Sequence, residues 1–238
     1  MPDRRQHRGA HPDDARDFAS EHHASLRDAT EELSWLLGRA YSERAALKLV
    51  GDKHQLTTRQ REAVLRAACS EGAVRARRDR QVDAVSLRGA QLGIDGFNCS
   101  ITLEVILSGG PTFVGRDGAR RDLASVHGTY RRVSETEPAL ALLVDALLGW
   151  GVGNVLVLFD KPVANSGRLR GLCEASAAQA GLELTCELSE RVDQELVQRA
   201  EVVASSDAWV LEHARAWADL PSLIVERSKL PVWSVYLE

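Results

Sequence analysis

The stretch GAQLGIDGFN, residues 89–98, decides the fold. Its apolar part ends at Asp95, and Gly96 then permits a tight turn. In the residues that follow, CSITLEVILSGG, apolar side chains recur at helical spacing and two glycines end the run. We therefore predict a strand that ends in a carboxylate and leads into a helix. Open α/β sheets place ligand-binding groups at this point, although Asp95 alone is equally compatible with a simple helix cap.

The composition is that of a globular protein. The chain has 238 residues, of which 44% are hydrophobic and 27% are charged, enough for one large domain or two small ones. No apolar run approaches the roughly 20 residues of a membrane span, and the N-terminus lacks the apolar core of a signal peptide. Cys69, Cys99, Cys173 and Cys186 are scattered, which argues against a zinc site or a disulfide framework. We expect a cytoplasmic protein without membrane contact.

The net charge of −4 is divided unevenly along the chain. Residues 1–84 carry 16 basic and 14 acidic side chains, whereas the remaining residues carry 14 and 20. The acidic half suits a cation-binding pocket and argues against a broad nucleic-acid surface. A basic cluster lies just before it, formed by Arg75, Arg77, Arg78 and Arg80. These arginines are either a solvated helix end or contacts to a phosphate backbone beside the site.

The order of predicted elements gives the fold class. Residues 1–84 are expected to be helical, with an apolar stripe over 13–40 and a further helix capped by Thr57 or Thr58. From residue 85 onward, strands alternate with helices. The predicted strands after the first are NVLVLFD at 154–160, then segments around 184–188, 201–207 and 223–225, and an edge strand after Pro231. This order predicts an α/β protein with a parallel, doubly wound sheet (85–238), preceded by a smaller helical region (1–84) that binds nucleic acid or a partner.

Aspartates follow three of these strands. Asp95, Asp160 and Asp207 each end an apolar run, and Asp193 opens the helix before the last of them. The carboxyl ends of parallel strands share one edge of the sheet, so these carboxylates should converge. Each acid taken singly is compatible with a cap or loop role, but together they suit Mg²⁺ or Mn²⁺, which prefer oxygen ligands. Such an ion can hold a phosphate oxygen and activate a water, and Asn98 would either add a neutral ligand to the ion or orient that water.

The motifs IDGFN, VLVLFD and VDQELVQRAEVVASSDAWVL occur in the order found in ribonuclease domains of the PIN and NYN type, which residues 88–226 resemble. The resemblance falls on Asp95, Asn98, Asp193 with Leu196, and on Ser205, Ser206 and Asp207. It implies a metal site held by Asp95, Asp193 and Asp207, and a catalytic set that also includes Asn98 and Asp160. The sequence departs from the family at Trp209, where a second acid is expected, and Asp160 or Glu104 would have to compensate.

A second resemblance covers nearly the whole chain. The segments HPDDARDFA, ALKLVGDKHQLTTRQREAV, GIDGFNCSITLE, GRDGARRDLASVHGTYRRV and NSGRLRGL resemble an uncharacterised prokaryotic family, domain of unknown function 434. This resemblance implies no particular activity.

Basic and polar side chains near the predicted site are candidates for binding phosphate. They are Arg116, Arg121, His127, Arg131, Lys161, Ser166 and Arg168. The alternative is that the arginines of 116–132 form ion pairs with Asp117 and Asp122.

The sequence thus predicts a metal-dependent nuclease that hydrolyses phosphodiester bonds, with RNA preferred over DNA, and a chain able to self-associate. A non-catalytic module that binds RNA or a nucleotide is the first alternative, because Trp209 replaces an acid. A small-molecule phosphatase is less well supported, since Phe97 stands where the haloacid-dehalogenase type has its second aspartate. A protein that only binds partners is the fourth possibility.

Overall fold

The structure is a computed structural model that describes residues 7–124 and 128–238. Its N-terminal region is helical, as predicted. It contains α1 (Asp14–Asp17), α2 (His23–Leu37), α3 (Glu43–Lys53), α4 (Thr58–Ala67) and α5 (Glu71–Arg78). Thr57 caps α4, because its side chain accepts from the amide of Gln60 while the Gln60 side chain accepts from the Thr57 amide.

The second part of the chain is α/β. Its strands are β1 (Gln91–Asp95), β2 (Pro111–Val114), β3 (Arg120–Arg121), β4 (Asn154–Asp160), β5 (Thr185–Ser189), β6 (Val202–Ala204), β7 (Ala216–Trp217) and β8 (Trp233–Tyr236). Its helices are α6 (Gly96–Leu107), α7 (Thr136–Trp150), α8 (Ser166–Ala180), α9 (Val192–Arg199), α10 (Ala208–His213) and α11 (Leu220–Ser228).

Five strands form the main sheet, and every pairing in it is parallel, as predicted. The strand order is β5-β4-β1-β6-β7. Counted within this sheet alone, that order is 3-2-1-4-5, the arrangement with which doubly wound sheets of the Rossmann type begin. β1 and β4 are buried because Leu92, Ile94, Val157 and Phe159 face a core that α6, α7 and α8 cover.

A second, three-stranded sheet was not anticipated. β2 pairs antiparallel with β3 and parallel with β8, so the chain's last strand lies outside the main sheet. Phe18 of the N-terminal region packs edge-on against Phe113 of β2, with 4.7 Å between ring centroids. The apolar faces of α2 and α4 share this core with Val235 of β8. The small sheet therefore joins the helical region to the α/β part.

The predicted strand around 223–225 is wrong, because those residues lie in α11. Asp219 caps this helix by accepting from the Ser222 amide at 3.1 Å, and Pro221 occupies its first turn, where proline is favourable. Leu220 and Ile224 point into the core one helical turn apart. The fifth strand of the main sheet is instead the short β7. No helix in the described ranges is both long and apolar enough to cross a bilayer.

Candidate functional site at the carboxyl edge of the main sheet

The site lies where the direction of strand addition reverses. From the central strand β1 the chain adds β4 and β5 on one side, then crosses over to place β6 and β7 on the other. Asp95 is the last residue of β1, and Ala204 of β6 pairs with Ile94 beside it. In doubly wound sheets the crevice beyond such a reversal is the usual ligand site. Asp160 ends the neighbouring β4, and Asp207 lies three residues after the end of β6. Three adjacent strands therefore bring an aspartate to this edge.

Two side-chain bridges hold the ends of β1 and β6 together. Ser205 donates to the second carboxylate oxygen of Asp95 at 3.2 Å. Asn98 accepts at its side-chain oxygen from both the amide and the hydroxyl of Ser206, at 3.0 and 2.9 Å. The first carboxylate oxygen of Asp95 accepts from the Asn98 amide and so caps α6. The Asp95 carboxylate therefore has one oriented hydrogen bond on each oxygen.

The carboxylates of the site repel one another. Burial raises the pKa of Asp95 to about 7, and the charges of Asp160 and Asp193 raise it as well, against the lowering effect of the Asn98 amide. Burial also raises the pKa of Asp193, helped by Asp207 and Asp160. Burial raises the pKa of Asp160 too. The four predicted acids therefore form one electrostatic group, and each proton bound or cation added relieves the others.

The four acids do not by themselves form a complete set of direct ligands for a cation. Among residues 7–124 and 128–238, no three His, Cys, Asp or Glu side chains are placed so that they chelate one ion directly. Asp207 is partly engaged, because one of its oxygens caps α10 by accepting from the amides of Trp209 and Val210. An arrangement with one or two direct carboxylates suits Mg²⁺, which usually keeps several waters and also binds substrate phosphate.

A buried ion cluster supports the loop after β6. Arg77 of α5 and Arg121 of β3 both bind Asp117, through three nitrogen–oxygen hydrogen bonds of 2.7–2.8 Å. Each arginine uses a further nitrogen to bind a carbonyl of the loop, Arg121 at Ser206 (2.9 Å) and Arg77 at Ala208 (3.1 Å). Burial opposes the charge, but the two guanidinium groups lower the pKa of Asp117 to about 2. This cluster fixes the loop that carries Asp207.

Two glycines let the site elements approach closely. A Cβ atom at Gly93 of β1 would lie 2.7 Å from the Cβ of Ala200, just after α9. A Cβ atom at Gly96 would lie 2.3 Å from the ring of Phe159 in β4. Any larger residue at these positions would push away the helix that carries Asp193 or the strand that carries Asp160.

The predicted phosphate-binding residues are dispersed. Lys161 is exposed directly after Asp160 and pairs with Glu190 at 3.1 Å, and Arg168 is exposed in the first turn of α8. Ser166, at the start of α8, is buried. Arg116 is half-buried and pairs with Glu71 at 3.0 Å. Arg121 is buried in the ion cluster, where its nitrogens face protein oxygens.

Two further predicted positions are less informative. Arg131 is exposed, and its carbonyl accepts from Arg8. His127 lies outside the described residues. Glu104, considered as a replacement acid, is buried instead with Arg8, Tyr130 and Thr136 as its hydrogen-bond partners.

Ion pairs between Asp117 and the arginines of 116–132 are one of the alternatives that the sequence offers, and the structure shows such a pair with Arg121. The pairing of Arg77 with Asp117 and the close approach at Gly93 were missed from the sequence. The signal for Asp117 was present in its spacing of four from Arg121, but nothing in the sequence places Arg77 beside both. All four cysteines are free and buried.

Comparison with known proteins gives a family without a described activity. The profile of the domain of unknown function DUF5616 matches residues 84–223, and that of DUF434, a protein of unknown function, matches residues 25–80. The uncharacterized protein MJ0935 of Methanocaldococcus jannaschii is 27% identical over 207 residues, which cover 86% of this chain and 99% of that protein. No solved structure matches significantly. The DUF5616 profile covers more than half of the chain. The chain therefore belongs to the DUF5616 family, with a DUF434 region before that domain.

Proposed function

We propose that the chain is a metal-dependent nuclease that hydrolyses RNA, built on a sheet of the PIN and NYN type. The observation that carries the proposal is the buried carboxylate of Asp95, whose pKa is raised to about 7 among further carboxylates at the strand-order reversal. Holding a repelling acidic group inside a fold is costly unless a cation or proton compensates it. Perturbed acids in a crevice are typical of functional sites.

The proposed ion is Mg²⁺ or Mn²⁺, held by Asp95, Asp193 and Asp207, with Asp160 beside them. Because the acids do not form a direct three-ligand cage, waters complete the coordination. When bound, the ion supplies positive charge for a phosphate oxygen and acidifies a water. The chain's own part is to orient the Asp95 carboxylate through Ser205 and the Asn98 amide, and to hold the Ser206 loop through the Asn98 side chain.

Phosphate binding is assigned to cations at the same edge of the sheet. Lys161 follows Asp160 directly, and Arg168 lies one loop further on, and both side chains are exposed. Arg121 does not contact the phosphate in this proposal; it holds the Ser206 loop by donating to the Ser206 carbonyl. Neutralising Lys161 and Arg168 should therefore weaken substrate binding and leave the fold intact.

Cleavage of an end-labelled RNA pool of mixed sequence tests the proposal. The reactions contain Mg²⁺ or Mn²⁺, with EDTA and the variant Asp95→Asn as controls. Asp145→Asn is the matched substitution, since Asp145 is 71% exposed on α7, away from the acids. Cleavage by wild type and Asp145→Asn, but not by Asp95→Asn or in EDTA, supports the nuclease. Cleavage that survives both EDTA and Asp95→Asn refutes it.

A non-catalytic RNA-binding module is the second candidate, and one observation favours it. The family resemblance expects an acid at position 209, but the residue there is an exposed tryptophan. A protein of this kind retains RNA on a filter but does not cleave it, whether Mg²⁺, Mn²⁺ or EDTA is present.

A further inference from the structure

An aromatic pair stands on the surface next to the acids. The indole of Trp209 stacks on the imidazole of His213, with ring centroids 4.2 Å apart and an interplanar angle of 20°. Although His213 covers one face, 40% of Trp209 remains exposed. A hydrogen bond of 2.8 Å from the Trp209 amide to Asp207 fixes the start of this helix to the acidic site. The pair therefore has a defined position relative to Asp207.

Basic residues of α5 border the same helix. Arg77 binds the Ala208 carbonyl at 3.1 Å, and Arg80 binds the Glu212 and Ala214 carbonyls at 2.8 and 2.9 Å, so α5 and its C-terminal end lie against α10. Arg75 and Arg78 of α5 are exposed, and Arg78 also donates to the Arg116 carbonyl at 3.0 Å and to the Glu238 carboxylate at 3.3 Å. An exposed aromatic face beside guanidinium groups is how proteins bind single-stranded nucleic acid, with bases stacked and phosphates paired.

Trp35 shows that exposure alone is not the argument. It is 54% exposed on α2, but the guanidinium group of Arg39 lies over its ring at 3.5 Å. Its surroundings are a mostly apolar recess with Leu49 and Glu31, in which Glu32 is already paired with Lys53. Trp35 is therefore a matched control for Trp209.

We propose that the Trp209–His213 pair binds one unpaired base of a single-stranded RNA, while Arg75 and Arg78 contact its backbone. This inference deepens the proposed function and rests on it for one point, that the neighbouring phosphodiester reaches the acids at Asp207. It also explains the tryptophan at position 209: the residue there contributes to holding the substrate strand.

Anisotropy titrations of a labelled 12-nucleotide single-stranded RNA test the inference. They are carried out in EDTA, so that no metal-dependent cleavage occurs, with wild type, Trp209→Ala, Trp209→Phe and Trp35→Ala. We expect Trp209→Ala to weaken binding about 5- to 100-fold, the effect of losing one base–aromatic stack. Trp209→Phe should retain most of the affinity because a ring remains, and Trp35→Ala should bind as wild type does.

Two control ligands test whether the protein binds an unpaired base. An abasic oligomer of the same length should bind both wild type and Trp209→Ala with the low affinity of the variant, and a duplex of the same sequence should bind more weakly than the single strand. The inference is overturned if Trp209→Ala binds RNA as tightly as wild type, or if the abasic oligomer binds wild type as tightly as RNA does. It is also overturned if wild type binds no RNA.

The inference and the nuclease proposal fail in different ways. If Trp209→Ala loses binding and wild type never cleaves RNA, the base platform stands and the nuclease proposal fails. If wild type cleaves with Mg²⁺ or Mn²⁺ and Trp209→Ala keeps full affinity, the nuclease stands and the platform fails.

Discussion

Replacing Asp95 with asparagine should stabilise the protein when divalent cations are absent. Asparagine has nearly the same shape, and its side-chain oxygen can still accept from the Asn98 amide. It carries no charge, however, so the repulsion by Asp160 and Asp193 and the cost of burying a carboxylate are both removed. The variant therefore separates the function of Asp95 from its contribution to stability.

The magnitude follows from the shift of the pKa. A rise from 3.8 to about 7 corresponds to about 4 kcal/mol, at about 1.4 kcal/mol per unit. Between these two values the folded protein binds a proton that the unfolded chain has lost, so wild-type stability falls as the pH rises. The advantage of Asp95→Asn should thus grow by about 1.4 kcal/mol per pH unit from pH 4 to 7 and stay constant above pH 7.

Urea denaturation in EDTA at pH 5, 6, 7 and 8 measures this advantage directly. Asp145→Asn, at an exposed position, should differ from wild type by a small amount that does not change with pH. An Asp95→Asn variant that is less stable than wild type at pH 8, or whose advantage is independent of pH, would refute the assignment of a buried, repelled carboxylate.

Three further predictions concern the surroundings of the acids. Asp117→Asn leaves two buried guanidinium groups without their counter-ion, so we expect a loss of about 3–5 kcal/mol in the free energy of unfolding, measured by urea denaturation at pH 7. In wild type, the ionised Asp117 stabilises the fold above pH 4, and acid titration should remove that contribution as the pH falls toward 2. Gly93→Val places a Cβ atom 2.7 Å from the Cβ of Ala200, with two methyl groups beyond it, and should cost about 1–3 kcal/mol, whereas the control Gly171→Ala, in open space on α8, should gain up to about 1 kcal/mol.

The main sheet could be predicted because its strands carry the signal locally. β1 and β4 are apolar runs that end in an aspartate, and Asp95 caps the helix that follows β1. The strand predicted around 223–225 was wrong because the local signal there is ambiguous. A short apolar run is compatible with either a strand or a buried helix, and the cap at Asp219 with the proline at 221 decided for the helix.

The small sheet and the ion cluster depend on contacts that a sequence does not display. β2 pairs with β8, more than a hundred residues later, and Pro111 at its start favours neither helix nor strand. Arg121 was predicted to bind phosphate, yet it lies buried against Asp117, because β3 turns its side chain toward α5. Charge and spacing alone did not distinguish this internal pair from a solvent-exposed arginine such as Arg168.

Calorimetric titration of Mn²⁺ into wild type and Asp95→Asn tests the central claim most directly. At pH 7 about half of the Asp95 side chains carry a proton, so binding should release about half a proton per ion, seen as a dependence of the heat on the buffer. The release should disappear at pH 8.5, and Asp95→Asn should bind Mn²⁺ far more weakly. Equal binding by the two proteins, or none by wild type, would contradict the acidic cation site.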